Sequence, residues 1–232
     1  MRAVRWRAYL VDDYEDLRKV PFPVLSKPHA QIDLDVRRTP SKCRDMLRSL
    51  LMHYTRQVSG MGYCQGFNFL AAVLLRVFLA SAEPKHALSD AFWAFHAVVG
   101  RVRCFYPLSA EDDSPVLIME ASAKLIRMHV EMETRLYMQE DFEMHLTCFL
   151  LRHWPCLFST MFESVEEIWD YLLERRTRSR LFCLTTAMFT SKKNMLPHLS
   201  TLQLFQIVEN EGMHSGVLAE AQRLAKWRYD TL

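Results

Sequence analysis

At 232 residues and 27.3 kDa the chain is long for one domain and short for two, and with half its residues apolar it can bury a substantial core. Lys and Arg number 29 against 27 Asp and Glu, a net charge of +2, which excludes a nucleic-acid binder built on a basic face. No run of about eighteen uninterrupted apolar residues exists, because the longest candidate, 67–82, is interrupted by Asn68 and Arg76, so no membrane span is expected.

Six cysteines stand at 43, 64, 104, 148, 156 and 183 with no CxxC pair. That scatter predicts reduced, buried thiols of a cytoplasmic protein, with no disulfide framework and no zinc site. Met1 is followed by Arg-Ala-Val-Arg-Trp-Arg with no apolar signal core behind it, and the chain reads as a domain cut from a longer protein.

The pattern along the chain is helical. Ile32–Arg38 reads as a helix, in which Asp35 and Arg38 are i, i+3 neighbours and Asp33 and Arg37 are i, i+4 neighbours. Thr39-Pro40 ends it, since proline disfavours continued helix. Leu47, Leu50, Leu51 and Tyr54 fall at i, i+3, i+4 and i+7, and Phe92, Phe95, His96 and Val99 repeat that spacing. Residues 67–78 are apolar nearly all round and predict a central, buried helix. Ser114-Pro115 supplies an N-cap and a proline at the first helical position. Leu125, Met128, His129 and Met132 show helical spacing, as do Val165, Ile168, Trp169 and Leu172, the latter behind a Ser164–Glu167 capping box. Val217, Ala221 and Leu224 close the series. The thirteen methionines read as core filler, Trp154 and Trp169 as packing anchors, and the basic run 174–180 as a solvated corner between helices. Alternating β-branched runs are missing. The fold class expected is one all-α domain over residues 1–232, two-lobed, with roughly ten to fifteen helices.

Residues 59–68, SGMGYCQGFN, hold Gly60, Gly62 and Gly66, three of only six glycines. A P-loop would need GxxxxGK[ST], and the dinucleotide fingerprint GxGxxG would need glycine where Gln65 stands, behind a strand that is missing. A cysteine hydrolase on Cys64 would need a histidine from a recognisable signature, and none is present. His145 and His153 are eight apart with no HExxH, so no metal site is expected. What survives is a turn whose glycines permit unusual backbone angles. Tyr63 and Gln65 then stand ahead of a helix start with free backbone N–H groups. On residue chemistry alone, an ordinary interhelical loop with a solvated Gln65 is the simpler account of this stretch. A plain exposed ion pair is likewise the simpler account of Asp35 and Arg38.

The two stretches together are more specific. Ile32-x-x-Asp35-x-x-Arg38 followed by Tyr63-x-Gln65-Gly66 resembles the paired IxxDxxR and YxQ motifs of the TBC domain family, the GTPase-activating proteins of Rab small GTPases. Arg5-Trp6-Arg7-Ala8-Tyr9-Leu10 looks like that family's opening motif, and GYCQGFNFLAAVLL at 62–75 is similar to its most specific stretch. Trp154 with Leu157-Phe158, then Ile168-Trp169-Asp170, resembles its W…LF…WD pattern. The resemblance implies that Arg38 neutralises charge on the β/γ-phosphate oxygens of a partner and that Gln65 orients the attacking water. It implies further that Asp35 holds Arg38, that Tyr63 fixes the loop, and that Gly62 and Gly66 let the backbone approach the nucleotide. Ile32 is the first residue of the motif. The partner implied is a Rab-family GTPase in its GTP-bound state, and the location implied is the cytoplasm, at endomembrane surfaces if recruited peripherally. No cofactor of the domain's own is expected, because GTP and Mg²⁺ arrive with the GTPase. A non-catalytic Rab-binding scaffold or effector is the alternative, the reading that fits members lacking the arginine or the glutamine.

Overall fold

The computed structural model describes residues 2–10, 29–57, 62–80, 86–109, 111–162, 165–174, 177–211 and 215–229. Among them are eleven α-helices and two short 3₁₀ turns, with no strand, so the expected all-α class holds. The chain divides into two compact units, Met1–Arg103 and Cys104–Leu232. Ser164 of the expected capping box, Gly60 of the glycine stretch, and Arg175 and Arg176 of the basic run lie outside the described residues.

The first unit holds α1 (Arg2–Leu10), α2 (Ala30–Arg38), α3 (Arg44–Gln57), α4 (Phe67–Leu79) and α5 (Ala87–Val102). Its centre is α4, whose Phe67, Leu70, Ala71, Leu74 and Phe78 are completely buried, as its all-round apolar character requires. Helix α3 presents Leu47, Leu50, Leu51 and Tyr54 to it at the expected helical spacing. The Tyr54 ring meets Phe67 and Phe95 edge-on at centroid distances of 5.9 and 4.8 Å, a geometry that aromatic quadrupoles favour. Trp6 is fully buried, and Arg7 of α1 pairs with the buried Asp90 of α5. His96, on the spacing expected to face inward, is exposed.

The second unit holds α6 (Ser114–Thr134), α7 (Phe142–His153), α8 (Val165–Glu174), α9 (Thr177–Thr190), α10 (Thr201–Glu211) and α11 (Ser215–Tyr229). Every residue of α9 from Leu181 to Phe189 is buried. Two of them are threonines, Thr185 and Thr186, whose hydroxyls donate to carbonyls one turn back and so need no further partner. Trp154 and Trp169 are the anchors expected: their indole N–H groups donate to Thr185 Oγ1 and to the Leu157 carbonyl, each at 3.0 Å. Leu157 and Phe158 are held in the left-handed region (φ 50° and 60°) while fully buried. Two successive residues there cost about 1–2 kcal/mol each, which the burial of both side chains offsets.

Several expectations are corrected here. Helix α6 exists, but its buried face is Met119, Ala123, Ile126, Val130 and Thr134, while Leu125, Met128 and Met132 are 48–57% exposed. Two stripes on this helix share the helical period, and small Ala123 and Thr134 let the less obvious one pack closer. The methionines are therefore not uniformly core filler: Met52, Met119 and Met188 are buried, whereas Met46, Met128, Met132, Met144 and Met195 face outward. Nor are the cysteines uniformly buried; Cys156 and Cys183 are, and Cys148 is exposed. The basic corner is only partly solvated, since the half-buried Arg180 pairs with Glu174 at 2.7 Å and lies 4.7 Å over the Tyr171 ring.

Arg135 follows α6 in the left-handed region (φ 59°) and is exposed. Glycine adopts that conformation without the Cβ clash, at some entropic cost in the unfolded chain. Arg135→Gly is expected to stabilise the chain by about 0.5–1 kcal/mol, read as an upward shift of roughly 1–4 °C in thermal midpoint.

His53 and His153 are 4% and 3% exposed, and burial pushes both imidazoles below their usual pKa, with Glu209 partly opposing the shift at His153. Below about pH 6.5 the unfolded chain takes up protons that the folded chain resists, so stability is full above that pH and falls as pH drops beneath it. The urea midpoint should be lower at pH 5.5 than at pH 7.5, and His153→Gln should shrink that difference.

Candidate functional site

Helix α2 runs as expected and stops where Pro40 dictates: Thr39 is extended (φ −79°, ψ 127°) and its N–H closes on the Asp35 carbonyl at 2.9 Å. Ile32 and Val36 face the core of the first unit, which turns Asp35 inward beside them at 6% exposure. Arg37 and Arg38 are exposed.

The loop ahead of α4 carries the second half. Gly62 (φ 73°) and Gly66 (φ 102°) both occupy the left-handed region, which accounts for glycine at each. Gly66 is the N-cap residue of α4, and a turn closes there, with Phe67 N–H donating to the Cys64 carbonyl at 3.2 Å. Gln65 sits at the apex of that turn and is exposed.

A set of polar groups, most of them buried or half-buried, ties the two stretches together. Tyr63 Oη donates to Asp35 Oδ2 at 2.9 Å, and Gln31 Nε2 donates to Asp35 Oδ1 at 3.1 Å. Thr39 Oγ1 donates to the Asp35 carbonyl at 2.6 Å and accepts from Asn68 Nδ2 at 2.8 Å. Asn68 Oδ1 accepts from the Gly66 N–H at 3.2 Å. Burial and the neighbouring Asp35 carboxylate push the Tyr63 hydroxyl well above the usual phenol range, so it stays protonated and can only serve Asp35 as a donor. The Tyr63 ring is held edge-on by His29 and Phe67, at centroid distances of 5.9 and 6.1 Å.

Two pairings differ from expectation. The Asp35 carboxylate engages Tyr63 and Gln31, and no Asp35–Arg38 bond occurs among the described residues. Helical neighbours at i, i+3 diverge here because Asp35 follows Ile32 into the core while Arg38 ends the helix in solvent. Asp33 pairs with Arg48 of α3 at 2.5 Å, not with the Arg37 guanidinium, which instead folds back on the Asp33 carbonyl at 3.1 Å. The Arg48 bond draws the Asp33 carboxyl below the usual carboxylate range.

Arg38 and Gln65 make no hydrogen bond or ion pair among the described residues. The structure thus brings Asp35, Tyr63, Gly66 and the carriers of Arg38 and Gln65 into one network, and it leaves the two long polar side chains outside it. Asn68, Thr39 and Gln31 belong to the network and were not singled out by motif. A polar residue at the second position of a helix that is apolar apart from Arg76 in its last turn is the signal that could have found Asn68. Burial pushes the Cys64 thiol up, which works against a thiolate nucleophile there.

What the fold and site define is an all-α domain that offers an arginine and a glutamine on a fixed frame. The family model for the Rab-GTPase-TBC domain matches residues 16–197, and the chain belongs to that family. It is 30% identical over 149 residues to the human growth hormone-regulated TBC protein 1, covering 61% of this chain and 40% of that protein. It is 26% identical over 150 residues to a TBC domain-containing protein of Schizosaccharomyces pombe, covering 60% of this chain and 23% of that one. The chain therefore spans less than half the length of these relatives. No helix among the described residues is long and apolar enough to cross a membrane.

Tyr63→Phe removes the Asp35 Oδ2 donor and should cost about 1–3 kcal/mol of stability. Arg38→Ala and Gln65→Ala, at exposed side chains with no partner among the described residues, should stay within about 0.5 kcal/mol of the wild type in a urea titration.

Proposed function

We propose that the domain accelerates GTP hydrolysis by a Rab small GTPase, inserting Arg38 and Gln65 into the partner's nucleotide site. The observation that carries this reading is their disposition: two long polar side chains, both exposed and both unengaged among the described residues, on backbones locked to each other by Asp35, Tyr63, Thr39 and Asn68. Family membership supports the partner class. That Arg37 is occupied by the Asp33 carbonyl supports Arg38 as the entering arginine.

Phosphoryl transfer passes through a loose transition state with charge spread over the equatorial phosphate oxygens, so catalysis is chiefly positioning and charge stabilisation. Arg38, always charged and with a planar fork of donors, is suited to bridge the β- and γ-phosphate oxygens. Gln65, with a carbonyl acceptor and an amide donor on one group, is suited to orient the attacking water. An arginine supplied in trans gives roughly 10³–10⁵ in rate, or about 4–7 kcal/mol of barrier. GTP and Mg²⁺ come with the GTPase, so the domain brings no cofactor, and it acts wherever its GTP-loaded partner resides, including endomembrane surfaces.

The test is GTP hydrolysis across a panel of GTP-loaded Rabs with the domain in excess. At least one Rab should be accelerated, and Arg38→Ala should remove at least about 10² of that acceleration. Gln65→Ala should act in the same direction, with binding to the same Rab retained. Acceleration that survives Arg38→Ala would overturn the site assignment. Binding without any acceleration would establish the scaffold reading instead.

A further inference from the structure

Beside the Tyr63–Asp35 bond, a second side chain ties the segments that carry Arg38 and Gln65. Asn68 Nδ2 donates to the hydroxyl of Thr39, the residue immediately after Arg38. Its Oδ1 accepts from the N–H of Gly66, the residue immediately after Gln65. The direction of every bond in this chain is set by its ends. The Asp35 carbonyl can only accept, so the Thr39 hydroxyl proton goes to it, and the Thr39 oxygen must then accept from the Asn68 amide NH₂. The Gly66 N–H can only donate, so it takes the Asn68 carbonyl oxygen. A donor is needed at one end and an acceptor at the other, and the asparagine amide supplies them on two separate atoms of one short side chain.

We propose that Asn68 is a positioning residue for both Arg38 and Gln65, bridging the two backbones that carry them and setting their separation. The proposal rests on the functional reading above and extends it to a residue that touches neither GTP nor the partner. Asn68 is 3% exposed, on the buried face of α4, so it acts only through its buried partners, Thr39, Gly66 and the Tyr63 hydroxyl 3.3 Å from its Oδ1. The bridge also holds Gly66 in its left-handed conformation (φ 102°), which fixes the direction in which Gln65 leaves the turn. A reacting group displaced by about 1 Å can lose roughly 10² in rate while binding persists. The separation of two groups that must enter one nucleotide site together is open to that kind of loss.

The experiment uses the 232-residue chain with a responsive Rab, comparing Asn68→Ala, Thr39→Val and Thr39→Ser. Asn68→Ala and Thr39→Val should lower the maximal stimulated rate by about 10–100-fold, with the half-saturating domain concentration within about threefold of the wild type. Thr39→Ser keeps the hydroxyl and should restore the rate to within about threefold. Asn68→Ala added to Gln65→Ala should lower the residual rate by a smaller factor than it lowers the wild-type rate, because only Arg38 is then left to position. A merely structural role predicts the opposite pattern, with reduced melting temperature, an unchanged maximal rate per folded molecule and additive losses. That pattern would overturn the proposal while leaving the assignment of Arg38 and Gln65 intact. If Asn68→Ala does not fold, the Thr39→Val and Thr39→Ser pair decides the question, since valine matches threonine in shape. The bridge is also read without any GTPase, by amide hydrogen exchange at Gly66. Protection there should fall in Asn68→Ala and persist in Gln65→Ala, and protection unchanged in Asn68→Ala would overturn the bridge even if no Rab responded to the wild type.

Discussion

The bond between Tyr63 and Asp35 is the constraint on which the rest of the site depends. A carboxyl group at 6% exposure is costly unless its oxygens are bonded, and Asp35 has a donor on each oxygen, Gln31 from its own helix and Tyr63 from a loop 28 residues away. Its backbone carbonyl is likewise used twice, by the Thr39 N–H and the Thr39 hydroxyl. The end of α2 and the entry to α4 are consequently held by the same few groups. Removing any one leaves buried partners unsatisfied, so the arrangement is cooperative and resists partial opening.

The location of this network explains the local glycine supply. A chain with six glycines places Gly62 and Gly66 where the backbone must turn left-handed, which brings Tyr63 back toward Asp35 and leaves Gln65 outside. Phe67 then enters the core at 0% exposure, so the turn is pinned by packing on one side and by Asn68 on the other. The helix of greatest burial in this unit and the loop of greatest conformational demand are adjacent, and the first restrains the second.

Much of this was legible in the sequence. The apolar run from Phe67, the stop at Thr39-Pro40 and the i, i+3, i+4 spacing of Leu47, Leu50, Leu51 and Tyr54 each carry one strong local signal, and each appears as read. Pairings were less legible, because helical spacing says which side chains are neighbours and not which of them turns inward. Asp35 lies near Arg38 by spacing, yet Ile32 and Val36 draw it into the core, where Tyr63 meets it. Asp33 finds Arg48, fifteen residues on, a tertiary contact that no local rule predicts. On α6 two stripes share one period, and the choice between them depends on what packs against the helix. Helix α9 gives almost no periodic signal, since it is buried nearly all round and includes threonines that satisfy themselves.

Under the proposed function, the division between fixed frame and free tips follows from what docking would require. Ordering a long side chain such as arginine or glutamine costs up to about 2 kcal/mol of rotamer entropy, and breaking an existing ion pair would add to that. Arg38 and Gln65 have no bonds to break among the described residues, so docking would incur chiefly the ordering cost. Their backbones, by contrast, are already fixed through Asp35, Tyr63, Thr39 and Asn68, so no loop has to be ordered when a partner arrives. A tighter free state, with Arg38 paired to Asp35, would have held the guanidinium but opposed its transfer to a phosphate. By giving the Asp35 carboxylate to Tyr63, the fold keeps the support and releases the arginine.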